Sequence, residues 1–234
     1  RQMCIRDSYL PFGLFTNIGQ FRQIDVMREQ VPKLVVGVHY SHNSGISSRR
    51  GRYSGRLIYL NNNDEESLPD YFKTGIDFLF KYKGLSALGE YVKSSATVPS
   101  DITQRVRNDG SISTSFLVND VQNVDAYVKG RMMLGEAYNF QLGYLFKNNI
   151  SLDARYTHLK ADNNSFMNNA TFYNRPNYYT IGLTKLAGRN YGFKVQGSLT
   201  FIDGSLGINH DNDLSTDVVY DNEIVFRLIT TISF

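Results

Sequence analysis

Between residues 70 and 82 the chain reads DYFKTGIDFLFKY, and alternate positions carry Phe72, Thr74, Ile76, Phe78, Phe80 and Tyr82. The positions between them are Lys73, Gly75, Asp77, Leu79 and Lys81. The same period of two recurs around residue 140. There Tyr138, Phe140, Leu142, Tyr144 and Phe146 alternate with Asn139, Gln141, Gly143, Leu145 and Lys147. It returns at 191–201 and again at the C-terminus. In that last stretch Ile224, Phe226, Leu228, Thr230, Ile232 and Phe234 alternate with Glu223, Val225, Arg227, Ile229, Thr231 and Ser233. A two-residue period predicts strands with one apolar and one polar face. We expect them near 9–16, 33–43, 70–83, 85–97, 133–147, 149–161, 176–187, 190–203 and 222–234. Their length suits a tilted membrane crossing of about 9–11 residues better than the ~5–6 residues usual in soluble sheets.

The predicted connectors alternate between short and long. Residues 83–84 (Lys-Gly), 148–149 (Asn-Asn) and 187–190 (Ala-Gly-Arg-Asn) are tight hairpins, with Gly or Asn where a positive φ is wanted. Between them lie long polar loops at 44–69, 98–132, 162–175 and 204–221. Short turns at one end and long loops at the other is the layout of outer-membrane barrels, with the turns periplasmic and the loops extracellular. Segment 17–32 departs from this. Ile18, Phe21, Ile24, Met27 and Val31 are spaced roughly like one helix face, so we expect a longer connector or short helix at the turn end.

Composition narrows the class without fixing it. The apolar fraction of 41% and the lack of any ~20-residue apolar run exclude membrane-spanning helices. A barrel remains open, because only alternate side chains meet lipid. Sixteen Tyr, fifteen Phe and no Trp favour strands and membrane–water interfaces. The single cysteine, Cys4, excludes an internal disulfide framework. A net charge of +3 is too small to imply nucleic acid as a partner. Residues 1–8, RQMCIRDS, show neither strand alternation nor a helical stripe. They read as a non-native or disordered N-terminal segment, an assembly artefact, and the barrel as residues 9–234.

Several stretches resemble one family. LPFGLF (10–15), DVMREQVPKLVVGVHY (25–40), IDFLFKYKGLSALGEYV (76–92), FQLGYLFKNN (140–149), YYTIGLTKL (178–186), FKVQGSL (193–199) and the terminal FRLITTISF are similar to the C-terminal part of the phosphate-selective porin O and P family. The likeness is to the form common in Bacteroidetes. The most specific stretches are D..RE..PKL and FKYKGLS...EY. The resemblance implies an all-β transmembrane antiparallel barrel of outer-membrane type, with about sixteen strands and usually trimeric. About nine strands are visible here, so an incomplete barrel is expected. It also implies that the barrel-assembly machinery recognises the C-terminal strand through its final aromatic, Phe234.

Parity places the candidate functional side chains on the inner face. Lys33, Lys73, Lys81, Lys147, Arg155, Lys194 and Arg227 point inward with Asp77, Glu90, Asp153 and Glu223. A Lys or Arg facing lipid at the midplane costs about 2–4 kcal/mol. Two readings fit: paired charges solvating a water-filled wall, or a basic track that favours anions. Arg49, Arg50, Arg52 and Arg56 in loop 44–69 form either an extracellular funnel for anions or a solvated loop balanced by Asp64, Glu65 and Glu66. Lys93 and Lys160 fall on the outer face near the loop ends. They fit lipopolysaccharide phosphates, or interfacial snorkelling. Asp211, Asp213 and Asp217 lack the full Ca²⁺-loop spacing. His39 and His42 point to opposite faces, His158 faces lipid and His210 lies in a loop. No metal site, cofactor or enzyme constellation follows. The expected function is an outer-membrane porin for passive diffusion of small hydrophilic solutes, with a weak anion preference. The alternative is a non-conducting outer-membrane barrel acting as anchor or adhesin.

Overall fold

The computed structural model describes residues 2–46, 58–107, 109–168, 175–187, 192–203 and 222–232. Among the described residues the chain is all-β, with one short α-helix. The first half contains β1 (Gln2–Tyr9), β2 (Lys33–Asn43), β3 (Ile58–Leu60), β4 (Asp70–Tyr82) and β5 (Leu85–Thr97). Three short strands follow in the long connector: β6 (Gln104–Val106), β7 (Ile112–Ser113) and β8 (Leu117–Val118). Next come β9 (Val121–Gln122) and α1 (Val124–Lys129). The second half contains β10 (Gly135–Leu145), β11 (Ile150–Ala161), β12 (Asn177–Ala187), β13 (Phe193–Asp203) and β14 (Glu223–Ile232). No helix among the described residues is long and apolar enough to cross a membrane.

Nine strands form one sheet in the order β1-β2-β4-β5-β10-β11-β12-β13-β14, with every pairing antiparallel. It is a meander, since each long strand pairs with the next long strand in the chain. Among the described residues the sheet is open, and no pairing joins β1 to β14. Period-2 patterning produces this sheet because its two faces meet different surroundings. On one face Tyr138, Phe140, Leu142, Leu152, Tyr179, Ile181, Leu183, Leu199 and Phe226 stand exposed, Phe226 by 70%. Aromatic rings form a row across this apolar face. Tyr138 stacks on His158 with centroids 4.8 Å apart, Tyr156 lies 5.1 Å from Tyr179, and Tyr179 lies 6.2 Å from Phe201. The other face carries most of the charges.

The hairpin between β4 and β5 shows how tightly one end is closed. Lys83 and Gly84 have φ of 49° and 93°, the two positive values a type I′ turn needs. A Cβ on Gly84 would come within 2.7 Å of the Leu145 carbonyl oxygen, so conformation and space both call for glycine there.

Two expectations are corrected. Residues 2–9 are not outside the sheet. They form β1, paired with β2 from Gln2↔Asn43 to Tyr9↔Val36. The strand expected at 9–16 is instead a turn at Pro11–Phe12 leading into a 3-10 segment, Thr16–Phe21. Met3 and Ile5 share the apolar side with Asp7, and that single charge hides the alternation. The loops at 44–69 and 98–132 are also more than polar connectors. Strands β3, β6 and β7 form a small sheet there, and β8 and β9 a hairpin. Tyr59, Ile102, Phe116, Tyr127, Val128, Met132 and Leu134 build a buried cluster. Leu68, Tyr71, Ala96 and Val98 pack against it, so this cap sits on the ends of β4 and β5. Asn123 caps α1 by accepting from the Ala126 amide at 3.0 Å. Within the cap, Arg131 and Arg105 lie over the Tyr127 ring, their Cζ atoms 3.5 and 4.6 Å from its centroid. Both also donate to its hydroxyl. Burial, more than any charge, holds both guanidiniums below their ordinary range.

The terminal Phe234 lies outside the described residues, as do turn residues 188–190 and the acidic positions Asp211, Asp213 and Asp217.

Candidate functional site

The polar face of the sheet is built by register. Gln141 pairs with Arg155, and Arg155 with Thr180. Gln196 lies between Thr184 and Ile229, and Ser198 between Gly182 and Arg227. These rows place amides, hydroxyls and charges side by side. Hydrogen bonds tie some of them together: Thr157 Oγ1 donates to Asn139 Oδ1 at 3.0 Å, and the Thr180 and Thr200 hydroxyls lie 2.9 Å apart.

Two recesses open on this face. The larger, about 380 Å³, is lined by Asp153, Thr184, Lys194 and Thr231 on the sheet and by Arg22, Ile24 and Val26 opposite. The smaller, about 210 Å³, is lined by Arg155, Thr180, Ser198 and Arg227. Gln141, Asp153 and Gln196 belong to both, so the recesses meet there. Residues from β10 and from β14 line the larger recess. Strands sit about 4.8 Å apart, so one recess reached from both requires the sheet to curl around it.

The inward candidates divide by environment. Arg155, Lys194 and Arg227 line the recesses. None of the three forms an ion pair or side-chain hydrogen bond among the described residues. Lys73 and Glu90 are exposed. Asp77 is paired, with Arg6 Nη2 3.0 Å from its Oδ1. Glu223 is held 2.9 Å from Arg175 Nη1. Lys33 donates to the Phe12 carbonyl at 2.8 Å. Asp153 is 7% exposed and accepts from the Ser151 hydroxyl at 3.1 Å. Lys147 is a correction: it sits in the exposed turn after β10, beyond the wall. Lys81 is another. It points inward but is only 2% exposed, because the 16–32 segment covers it. Its ammonium donates to the carbonyls of Gly19 at 2.9 Å and Ile24 at 3.1 Å.

Arg49, Arg50, Arg52 and Arg56 lie outside the described residues. Lys93 on the outer side is 3.2 Å from Glu136, which also accepts from the Tyr91 hydroxyl at 2.9 Å. Lys160 pairs with Glu136 in the β10–β11 register. Glu136 thus takes up the Lys93 charge in an ion pair, and Lys160 stands beside it in register.

Three residues were missed from sequence. Arg6 sits in the stretch set aside at the N-terminus. Asp25 and Glu29 are 1% and 4% exposed, although acids in a connector are ordinarily solvated. The one available signal was their clustering with Arg28 between the apolar positions Ile24, Val26, Met27 and Val31.

No family model matches the chain, and neither a curated protein nor a solved structure matches it.

Proposed function

We propose that the chain forms part of the wall of an outer-membrane β-barrel porin. Its motifs resemble those of the phosphate-selective porin O and P family. Small hydrophilic solutes diffuse passively through the water-filled interior, selected by size and wall charge, with anions favoured. The observation that carries this reading is the separation of the two faces over nine consecutive antiparallel strands. Apolar side chains such as Ile181, Leu183, Phe226 and Leu228 are more than half exposed. In water such a patch is a liability, whereas against hydrocarbon it is required. Most of the charges occupy the other face, where water is present, and on the outer face Lys93, Glu136 and Lys160 cluster near the loop ends of their strands. Anion preference rests on Arg155, Lys194 and Arg227, which form no ion pair among the described residues and outnumber Asp153, the acid that lines the same recesses.

An open sheet edge is not stable in hydrocarbon, because its amide groups have no partner there. In a meander the first and ninth strands run parallel. Closing β1 onto β14 with antiparallel pairs therefore takes an odd number of further strands, as part of a larger barrel would supply. The runner-up, a non-conducting anchor, draws support from segment 16–32 lying across the polar face. Planar-bilayer recording of the purified protein under a KCl gradient separates the two. Stepwise conductance with a reversal potential on the Cl⁻ side supports the porin. Folded protein that inserts but never conducts supports the anchor.

A further inference from the structure

We propose that segment 16–32 is a fixed constriction of the solute path and that Asp25, Arg28, Glu29 and Lys81 are the residues that position it. The proposal rests on the porin reading of the polar face.

A connector between adjacent antiparallel strands needs only two residues, as Lys83–Gly84 demonstrates at the same end of the sheet. Between Tyr9 and Lys33 the chain is far longer, with only the short 3-10 segment Thr16–Phe21 of its own, and a connector of this length is uncommon unless it has a role. The extra chain does not hang free. Arg22, Ile24 and Val26 form one side of the larger recess, and Asp153, Thr184 and Lys194 the other. The segment thus reaches from the β2 side of the sheet across the polar face toward β11–β13. Solute following that face passes between them.

The docking is specific. The Asp25 carboxylate accepts from the amide of Gly84 at 2.8 Å and from that of Glu29 at 3.1 Å. Glu29 accepts from the Thr16 amide at 2.7 Å and from the Thr16 hydroxyl at 3.0 Å, and the Lys83 amide donates to the Glu29 carbonyl at 2.9 Å. Arg28 Nη1 donates to the Leu145 carbonyl at 2.6 Å, tying the segment to β10. Lys81 reaches up from β4 to two carbonyls of the segment. Asp25, Glu29 and Lys81 are all nearly fully buried. Buried charges persist only when paired and hydrogen-bonded; here Asp25 and Lys81 are satisfied by contacts that hold the segment to the sheet, and Glu29 by contacts with Thr16 that fix the fold of the segment itself. Asp25, Arg28 and Glu29 are also three of the four charged residues of the DVMREQVPKL stretch, the fourth being Lys33, and wall charge alone leaves those three without a role.

The test uses the whole protein in liposomes, on a Cys4→Ser background. Cysteines replace Gln23 and Gln196, which both line the larger recess, and a short bifunctional thiol reagent is added. Swelling rates are then measured with arabinose, glucose, sucrose and raffinose. We expect efficient cross-linking and a steep fall in rate with sugar size. Lys81→Gln should weaken the cross-link and raise the raffinose rate at least tenfold, and cross-linking that variant should restore the original size limit. A role confined to folding would not move the size limit or allow this rescue. Absence of cross-linking overturns the proposal, as does an unchanged size limit in Lys81→Gln. No flux from either protein overturns it together with the porin reading, while an intact cross-link would still locate the segment.

Discussion

Replacing Asp25 by Ala tests the docking network at its most buried point. Its carboxylate is 1% exposed and accepts from the amides of Gly84 and Glu29. The substitution leaves two buried N–H groups without an acceptor, at about 1–3 kcal/mol each. It also removes one of the two carboxylates whose field offsets the Lys81 ammonium, a smaller contribution because no ion pair joins them. These terms overlap, and water entering the vacated space recovers part of them, so we take about 3 kcal/mol as the net loss. The loss should be local, because β4 and β5 keep their own ladder. At about 1.4 kcal/mol per tenfold, opening of the segment becomes roughly a hundredfold more frequent. Hydrogen–deuterium exchange read by mass spectrometry should then show peptides covering 16–32 exchanging about a hundredfold faster, with those covering 85–97 unchanged. Unchanged exchange in 16–32 would refute the network. Equal acceleration throughout the sheet would refute the claim that the segment is a separable docked unit.

Four further outcomes follow from the same geometry. Leu142→Arg places a charge on the apolar face at mid-strand. It should cost about 2–4 kcal/mol if that face meets lipid and almost nothing if it meets water, read from the folded fraction in lipid vesicles across a urea series. Phe116→Ala empties a fully buried site in the cap, at about 3–5 kcal/mol. Limited proteolysis should then cut within 98–132 while the nine-stranded sheet stays protected. Lys194→Gln together with Arg227→Gln removes two positive charges from the recess walls and should move the reversal potential toward zero. A second effect of charge is that raising KCl should weaken the wild-type preference, because screening lengths fall to about 3 Å at 1 M salt.

The sheet was legible because its strands are long and its two faces meet unlike surroundings. In β10 the outward series Tyr138, Phe140, Leu142 and Tyr144 is nearly free of exceptions, and its register follows from parity alone. Strand β1 was not legible. One charge, Asp7, on the apolar side breaks a pattern only eight residues long. The cap was hidden for a different reason. Tyr59, Ile102, Phe116 and Tyr127 come together from distant points, and tertiary packing without periodicity leaves no mark in a local window. Inward candidates were read correctly as to face but not as to solvent. Parity turns Lys81 inward, yet it cannot show that another segment lies on top. Buried acids such as Asp25 and Glu29 are the hardest case, since type and position both suggest exposure and only their partners reveal otherwise.

The account stands on one claim, that the apolar face meets lipid and the polar face meets water. Nitroxide labels placed singly along β10 from Gly135 to Leu145 test it directly, by collision with oxygen and with a water-soluble nickel chelate in reconstituted bilayers. The account predicts alternation, with Tyr138, Phe140, Leu142 and Tyr144 positions favouring oxygen and Asn139, Gln141 and Gly143 positions favouring the chelate. Equal access to the chelate at both sets, in protein shown to be folded, would contradict it.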